Sequence, residues 1–293
     1  MNPNRTRTLF RAATSLSPEL AGRLALRAFF VTQPRLPLSE RDAATDAAAR
    51  RGALRMRGKD VATYSWGSGD DTVLLVHGWR GRASQFAPLV RELVAEGFHV
   101  VALDAPAHGA SPSSPTDIRD WIAAIDGLQR RHGRFRLIVG HSFGALATLT
   151  AVRAGTTTAR VAAIAGAGTP QVFIDQFSAM LGLTPRAKTA FEERFFARFG
   201  EDAASMRRRY DALENPLPAT VELLAVHDDT DRQVPPAASA DLAAAHAGRA
   251  RLVRTHGLGH SRVLAADPVL DAVTAFAVGG LARVDERTAA ARD

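Results

Sequence analysis

The sequence predicts an α/β fold: a mostly parallel central sheet with helices on both faces, plus a small helical cap insertion. Three observations carry this. Short, almost wholly apolar runs rich in β-branched residues recur from about residue 60 onward, as in Val73–Val76 and Val161–Ile164. Strands buried on both faces of a sheet read this way. Longer segments with apolar side chains at helical spacing separate most of them, which is the pattern of crossover helices. One interval, Thr169–Pro218, has helical spacing only and interrupts the alternation.

Taken in order, residues 1–58 are rich in Ala and Arg and are expected to form a helical extension. Helices are predicted near Pro18–Phe30 and Glu40–Arg51, broken by Gln33-Pro34-Arg35-Leu36-Pro37. In the first, Leu20, Leu24 and Arg27 share a face with Phe30 or Val31. Such a face packs on a neighbouring domain or lies on a membrane surface. The core is expected over residues 59–168 and 219–284. Its strands are Val61–Trp66, Val73–Val76, Val100–Leu103, Leu137–Val139, Val161–Ile164, Val221–Val226 and Leu252–Thr255. Its helices are Ser84–Glu96, Asp117–Arg131, Ala145–Arg153, Pro236–His246 and Pro268–Val278. Within the insertion (169–218), Phe173, Phe177, Met180 and Leu181 line one helical face and Phe191, Phe195, Phe196 and Phe199 another. These stripes form the insertion's own core or line an apolar pocket beneath it. Residues 285–293 are expected to be a flexible tail.

Composition narrows the function classes. The chain of 293 residues has no cysteine, which excludes a disulfide framework, a thiolate zinc site and a cysteine nucleophile. The net charge is +7 and the isoelectric point about 10.9. The basic residues are scattered, with only short clusters such as Arg50-Arg51 and Arg207-Arg208-Arg209. A nucleic-acid footprint would be a patch or stripe, so no nucleic-acid partner is expected. No apolar run approaches the roughly 18 residues that span a bilayer. Arg27 interrupts the apolar stretch Leu24–Val31 and no small-residue cleavage site follows, so no secretion signal is expected. A cytoplasmic location is the corresponding expectation.

The chemistry centres on Gly140-His141-Ser142-Phe143-Gly144. It follows the strand Leu137–Val139 and precedes the helix Ala145–Arg153. A serine between strand and helix must turn sharply, and flanking glycines remove the side chains that would clash there. The hydroxyl is then presented at the carboxyl edge of the sheet. Serine becomes a nucleophile only beside a base that a third group orients. Among nine histidines, His260 lies in a loop after the last strand, at the same edge as Ser142. His256 is the rival, at the strand end. His77 and His227 end strands and are expected to be structural, and His99, His132 and His246 to lie at the surface. The acid belongs after a strand between serine and histidine. Asp228, Asp229 and Asp231 follow Val221–Val226, and Asp231 stands where the loop must return toward a helix. The two earlier aspartates suit turn formation, and Asp175 is a more distant candidate. Two backbone N–H groups should hold an oxyanion. They are assigned to Phe143, after the nucleophile, and to Trp79, in the loop His77-Gly78-Trp79-Arg80-Gly81.

With these residues in place the sequence resembles the α/β-hydrolase superfamily. The likeness runs through His77-Gly78-Trp79, Leu103–Ser111, Gly140–Gly144, Asp231–Pro235 and Gly259-His260, over roughly residues 60–280. It departs from the pattern at Ala107, where many members have glycine, and residues 1–58 match no motif. The resemblance implies a serine hydrolase acting on a carboxylic ester or related acyl bond of a small molecule, with no metal or organic cofactor, and the phenylalanine stripes of the insertion suit an apolar acyl group. Dehalogenases and epoxide hydrolases of the superfamily use a carboxylate nucleophile, and Ser142 argues against both. An acyltransferase, a perhydrolase or a C–C hydrolase would use the same triad. A non-enzymatic alternative is a hydrolase-fold binding or membrane-surface protein.

Overall fold

The computed structural model describes residues 17–112 and 114–290, with Phe10 and Thr14. Eight strands form one sheet: β1 (Arg50–Met56), β2 (Lys59–Trp66), β3 (Thr72–Val76), β4 (His99–Asp104), β5 (Phe135–His141), β6 (Thr158–Ile164), β7 (Glu222–Asp228) and β8 (Ala250–Thr255), in the order β1-β2-β4-β3-β5-β6-β7-β8. β1 and β2 run antiparallel at one edge, and from β4 to β8 every pairing is parallel. All seven expected strands are present.

β1 is the addition, and it corrects the expectation of a purely helical segment over residues 1–58. Only Leu54 and Met56 of its side chains are buried. An edge strand solvated along most of its length carries charge rather than an apolar run, and Arg50-Arg51-Gly52 therefore reads as polar helix or loop.

The helices are α1 (Pro18–Phe29), α2 (Glu40–Ala47), α3 (Ala87–Ala95), α4 (Ile118–His132), α5 (Phe143–Arg153), α6 (Pro170–Leu181), α7 (Pro185–Phe199), α8 (Ala203–Tyr210), α9 (Pro236–Ala245), α10 (Gly259–Arg262) and α11 (Asp267–Ala290). α6, α7 and α8 lie between β6 and β7. Thr169 and Thr184 cap α6 and α7 by accepting from Gln171 N and Ala187 N, each with proline in the first turn. Helical structure reaches into the expected tail at 285–293. α11 continues to Ala290 past a kink at Gly280, and Arg251 pairs with Asp285 at 2.7 Å. The last three residues lie outside the described part.

Strand alternation divides the core. Leu74, Val76, Ile138 and Leu103 face one side with Trp121, Ile125 and Leu149, while Val73, Leu75, Leu137 and Val139 face the other with Phe86, Leu93 and Phe276. Each such burial contributes about 1.5–3 kcal/mol. The second consequence of this pairing is positional. The registers Val76↔Gly140, His141↔Ile164 and Asp228↔Thr255 bring the ends of β3, β5, β7 and β8 to one edge. The loops after these four strands hold every site residue predicted from sequence.

Candidate active site

Ser142 stands between β5 and α5 with φ 54° and ψ −121°, a sparsely populated positive-φ conformation that costs a non-glycine residue about 1–3 kcal/mol. Its N–H donates to Ile164 O at 2.9 Å, which holds the turn against β6. A side chain on Gly144 would strike the carbonyl oxygens of Val76 and His77, so the close crossing of α5 over β3 requires glycine there. α5 is buried over Gly144–Val152, which fixes the turn from behind.

His260 sits on α10, and its Nδ1 lies 2.7 Å from Asp231 Oδ2. Since the carboxylate accepts, Nδ1 carries the proton and Nε2 is left free to take one. Asp231 is buried and its Oδ1 accepts from Gln233 N at 2.7 Å and Val234 N at 3.1 Å. Burial alone would raise its pKa. Hydrogen bonds from His227 and His260 outweigh that and hold the carboxyl well below the usual range. His260 and Ser142 line one cavity of about 620 Å³. Among the described residues no hydrogen bond joins Ser142 Oγ to His260, and such contacts commonly tighten only with substrate bound.

Trp79 and Phe143 line the same cavity, and neither backbone N–H has a partner among the described residues. Gly78 packs against Ser142 so closely that a Cβ there would lie 2.9 Å from the serine Cβ. His77 braces this loop. Its Nε2 accepts from Ala105 N at 3.0 Å, so Nδ1 donates to Gly78 O at 2.7 Å. Burial lowers its pKa and keeps it neutral. The structural expectation for His77 therefore agrees with the geometry.

Three further residues support the site. Asp228 accepts from Thr230, from Thr255 Oγ1 at 2.9 Å, and from Leu258 N and Gly259 N at 3.1 and 2.8 Å. It forms the expected turn and also ties down the loop that carries His260. His227 is buried, with Nε2 3.2 Å from Asp231 Oδ2 and Nδ1 2.6 Å from Ser239 Oγ. Sequence reading missed His141. Burial lowers its pKa to about 3, so it is neutral, and its Nε2–H donates to His260 O at 2.9 Å. Its place inside the Gly-His-Ser motif was the available signal. His246, expected at the surface, is buried and accepts from Leu217 N at 3.0 Å. That correction reflects a loop folding back over α9, which no local pattern reveals. His256 is exposed, Asp229 pairs with Arg254 at 3.3 Å, and Asp175 on α6 pairs with Lys188 at 2.6 Å, so none of the three joins the site.

The cavity walls come from distant parts of the chain. Phe173, Phe177 and Met180 of α6 and Phe143 form one side, and Ala28, Phe29, Val31 and Leu36 of the N-terminal segment another. Phe191, Phe195 and Phe199 of α7 are instead buried core. The two aromatic stripes thus divide, one lining the cavity and one packing beneath it. Among the described residues no three His, Asp or Glu side chains converge as metal ligands.

Comparison with known proteins bears on the family and the fold. Residues 73–272, more than half of the chain, match the alpha/beta hydrolase family. The chain belongs to the alpha/beta hydrolase family. A curated relative, a serine hydrolase-like protein of Dictyostelium discoideum, is 30% identical over 95 residues. That match spans 30% of this chain and only 26% of the relative. Among solved structures, an esterase of Pyrococcus furiosus superposes with a TM-score of 0.63 at 18% identity, over 84% of this chain and 98% of that one. Mouse alpha/beta hydrolase domain-containing protein 10 gives 0.61 at 15% identity, over 77% and 96%. At these identities the likeness is one of fold. The family's glycine preference near residue 107 has a local cause: Ala107 has φ 67°, a conformation that glycine adopts without strain.

Proposed function

We propose that this alpha/beta hydrolase is a serine esterase, cleaving a carboxylic ester or related acyl bond through an acyl-serine intermediate. The observation that carries the reading is the 2.7 Å bond from His260 Nδ1 to buried Asp231, with His260 and Ser142 on the wall of one cavity. In this reading His260 Nε2 takes the Ser142 proton as Oγ attacks the acyl carbonyl. The N–H groups of Trp79 and Phe143 stabilise the oxyanion. His260 then protonates the leaving group, and a water activated by the same nitrogen releases the acid. Asp231 keeps the imidazole in its Nδ1–H tautomer and stabilises the imidazolium. The apolar wall of Phe173, Phe177 and Phe29 suits an acyl chain.

The test is hydrolysis of p-nitrophenyl butyrate by the wild-type protein and by Ser142→Ala at neutral pH, with fluorophosphonate labelling of both. Turnover and labelling in the first and loss of both in the second are expected. The substitution should lower kcat by at least about 10³-fold. Labelling that persists without Ser142 would overturn the assignment.

A further inference from the structure

The cavity that holds Ser142 has an uneven chemistry. Its walls are apolar, yet two arginines, Arg80 and Arg232, line it, and no Asp or Glu does so among the described residues. Both follow directly on residues already discussed, Trp79 and Asp231. Neither forms an ion pair among the described residues, so no carboxylate among them neutralises the charge at the cavity. Arg80 is also held in place. Its backbone has φ 60°, and its Nε donates to Val31 O at 3.2 Å, beside the Trp79 Nε1 bond to the same oxygen at 3.0 Å. A non-glycine residue keeps that conformation only where its surroundings impose it. The terminal guanidinium nitrogens of Arg80 remain without a hydrogen-bond partner among the described residues. The rim adds exposed apolar surface, with Val31 42%, Leu36 38% and Met180 61% exposed.

An apolar chamber rimmed by unpaired guanidinium groups suits one class of molecule, an anionic amphiphile. Guanidinium forks match the oxygens of phosphate and carboxylate. We infer that the substrate carries an anionic group, phosphate or carboxylate, which Arg80 and Arg232 hold while its acyl chain lies along Phe29, Phe173 and Phe177. This rests on the esterase reading for the word substrate, but the binding it predicts does not depend on turnover.

Calorimetric titration of the full-length protein with octyl phosphate, octanoate, octanol and octyltrimethylammonium, below their micellar concentrations, separates charge from chain. Inorganic phosphate alone separates the anion from the tail. Octyl phosphate or octanoate should bind about tenfold more tightly than octanol, and the ratio between the two anions identifies the preferred group. The cation should bind more weakly than octanol. In Arg80→Gln/Arg232→Gln the anion preference should fall to about one. The exposed single variant Arg232→Gln should lower it partly, and this keeps the test valid if the double variant unfolds. Equal affinity for anion and alcohol, no binding by either, or an anion preference that survives both variants would overturn the inference. Failure of the wild-type protein to take up a fluorophosphonate at Ser142 would instead overturn the esterase reading, and the binding result would stand apart from it.

Discussion

Asp231 serves two histidines at once. Its Oδ2 lies 2.7 Å from His260 Nδ1 and 3.2 Å from His227 Nε2, while Oδ1 takes two backbone N–H groups. A carboxylate held on four sides cannot rotate, and so it fixes the imidazole plane of His260. Asp231→Asn is therefore expected to keep the fold but lower kcat on p-nitrophenyl esters by about 10³–10⁴-fold, because an amide does not enforce the tautomer. A variant within tenfold of wild type would remove Asp231 from the proposed mechanism. Asp228 acts one step back. Its donors on Leu258, Gly259 and Thr255 would face a neutral amide in Asp228→Asn, and unsatisfied buried groups cost about 1–3 kcal/mol. The expected result is a lower urea midpoint together with reduced activity. At this scale the sequence was most legible where reactive side chains follow directly on apolar strands. Ser142, Asp231 and His260 stand in serine–acid–base order after β5, β7 and β8, so their types and the strands before them sufficed to bring them forward. His227 and His141 were less legible, because their partners lie across the fold and no local pattern distinguishes a bracing histidine from a packed one.

The N-terminal segment shows how an element's role can be hidden while its form is plain. The helix over Pro18–Phe30 was readable from its periodicity, yet nothing local said what it covers. α1 packs on α7 through Ala21, Gly22 and Ala25, and a Cβ on Gly22 would lie 2.7 Å from the Ala190 carbonyl carbon. Beyond that contact Phe29 meets Phe177, Phe191 and Phe195 at ring distances of 5.1, 5.6 and 5.6 Å. The helix and the insertion therefore share one aromatic core, and the tip of the helix supplies a cavity wall. Gly22→Val should force the two helices apart and destabilise the protein by about 1–3 kcal/mol. It should also raise KM for octanoyl esters more than for acetyl esters, since only the longer chain reaches the aromatic wall. Thermal unfolding and a chain-length series on the same variant check both, and unchanged values would mean that the helix merely rests on the surface. The strand β1 was illegible for a different reason. With most of its side chains in water, it lacks the apolar signal that revealed every interior strand.

Across the whole molecule the site edge is crowded with neutral, buried histidines, and this sets the protein's response to acid. Burial lowers the pKa of His77 and takes His108 and His141 down to about 3, and it also lowers that of His246, which lies away from the site between α9 and β8. His108 is the least compensated, with Nδ1 on Pro106 O at 2.9 Å and a buried Nε2 that has no partner. In the unfolded chain each returns to about 6.5. Between those values the unfolded state binds more protons than the folded one, so stability is fully present above the unfolded pKa and is lost as pH falls. For His108 and His141 the loss from pH 7 to pH 5 is about 2 kcal/mol each, from roughly 1.4 kcal/mol per pH unit below 6.5. Asp228 and Asp231, both held below the usual carboxylate range, act in the same direction but only below about pH 4, where their unfolded counterparts begin to protonate. The stability profile should therefore decline in two stages as acid is added, the first from histidines and the second from carboxylates. Urea unfolding at half-unit steps from pH 7.5 to 4 reads the first stage directly. His108→Gln should reduce its slope by about one proton, because it removes one titrating group while leaving the carboxylates as they are. A free energy of unfolding that stays level from pH 7 to pH 5 would mean that these imidazoles take up protons inside the fold, and the neutral tautomers assigned to His77 and His141 beside Ser142 would then have to be abandoned.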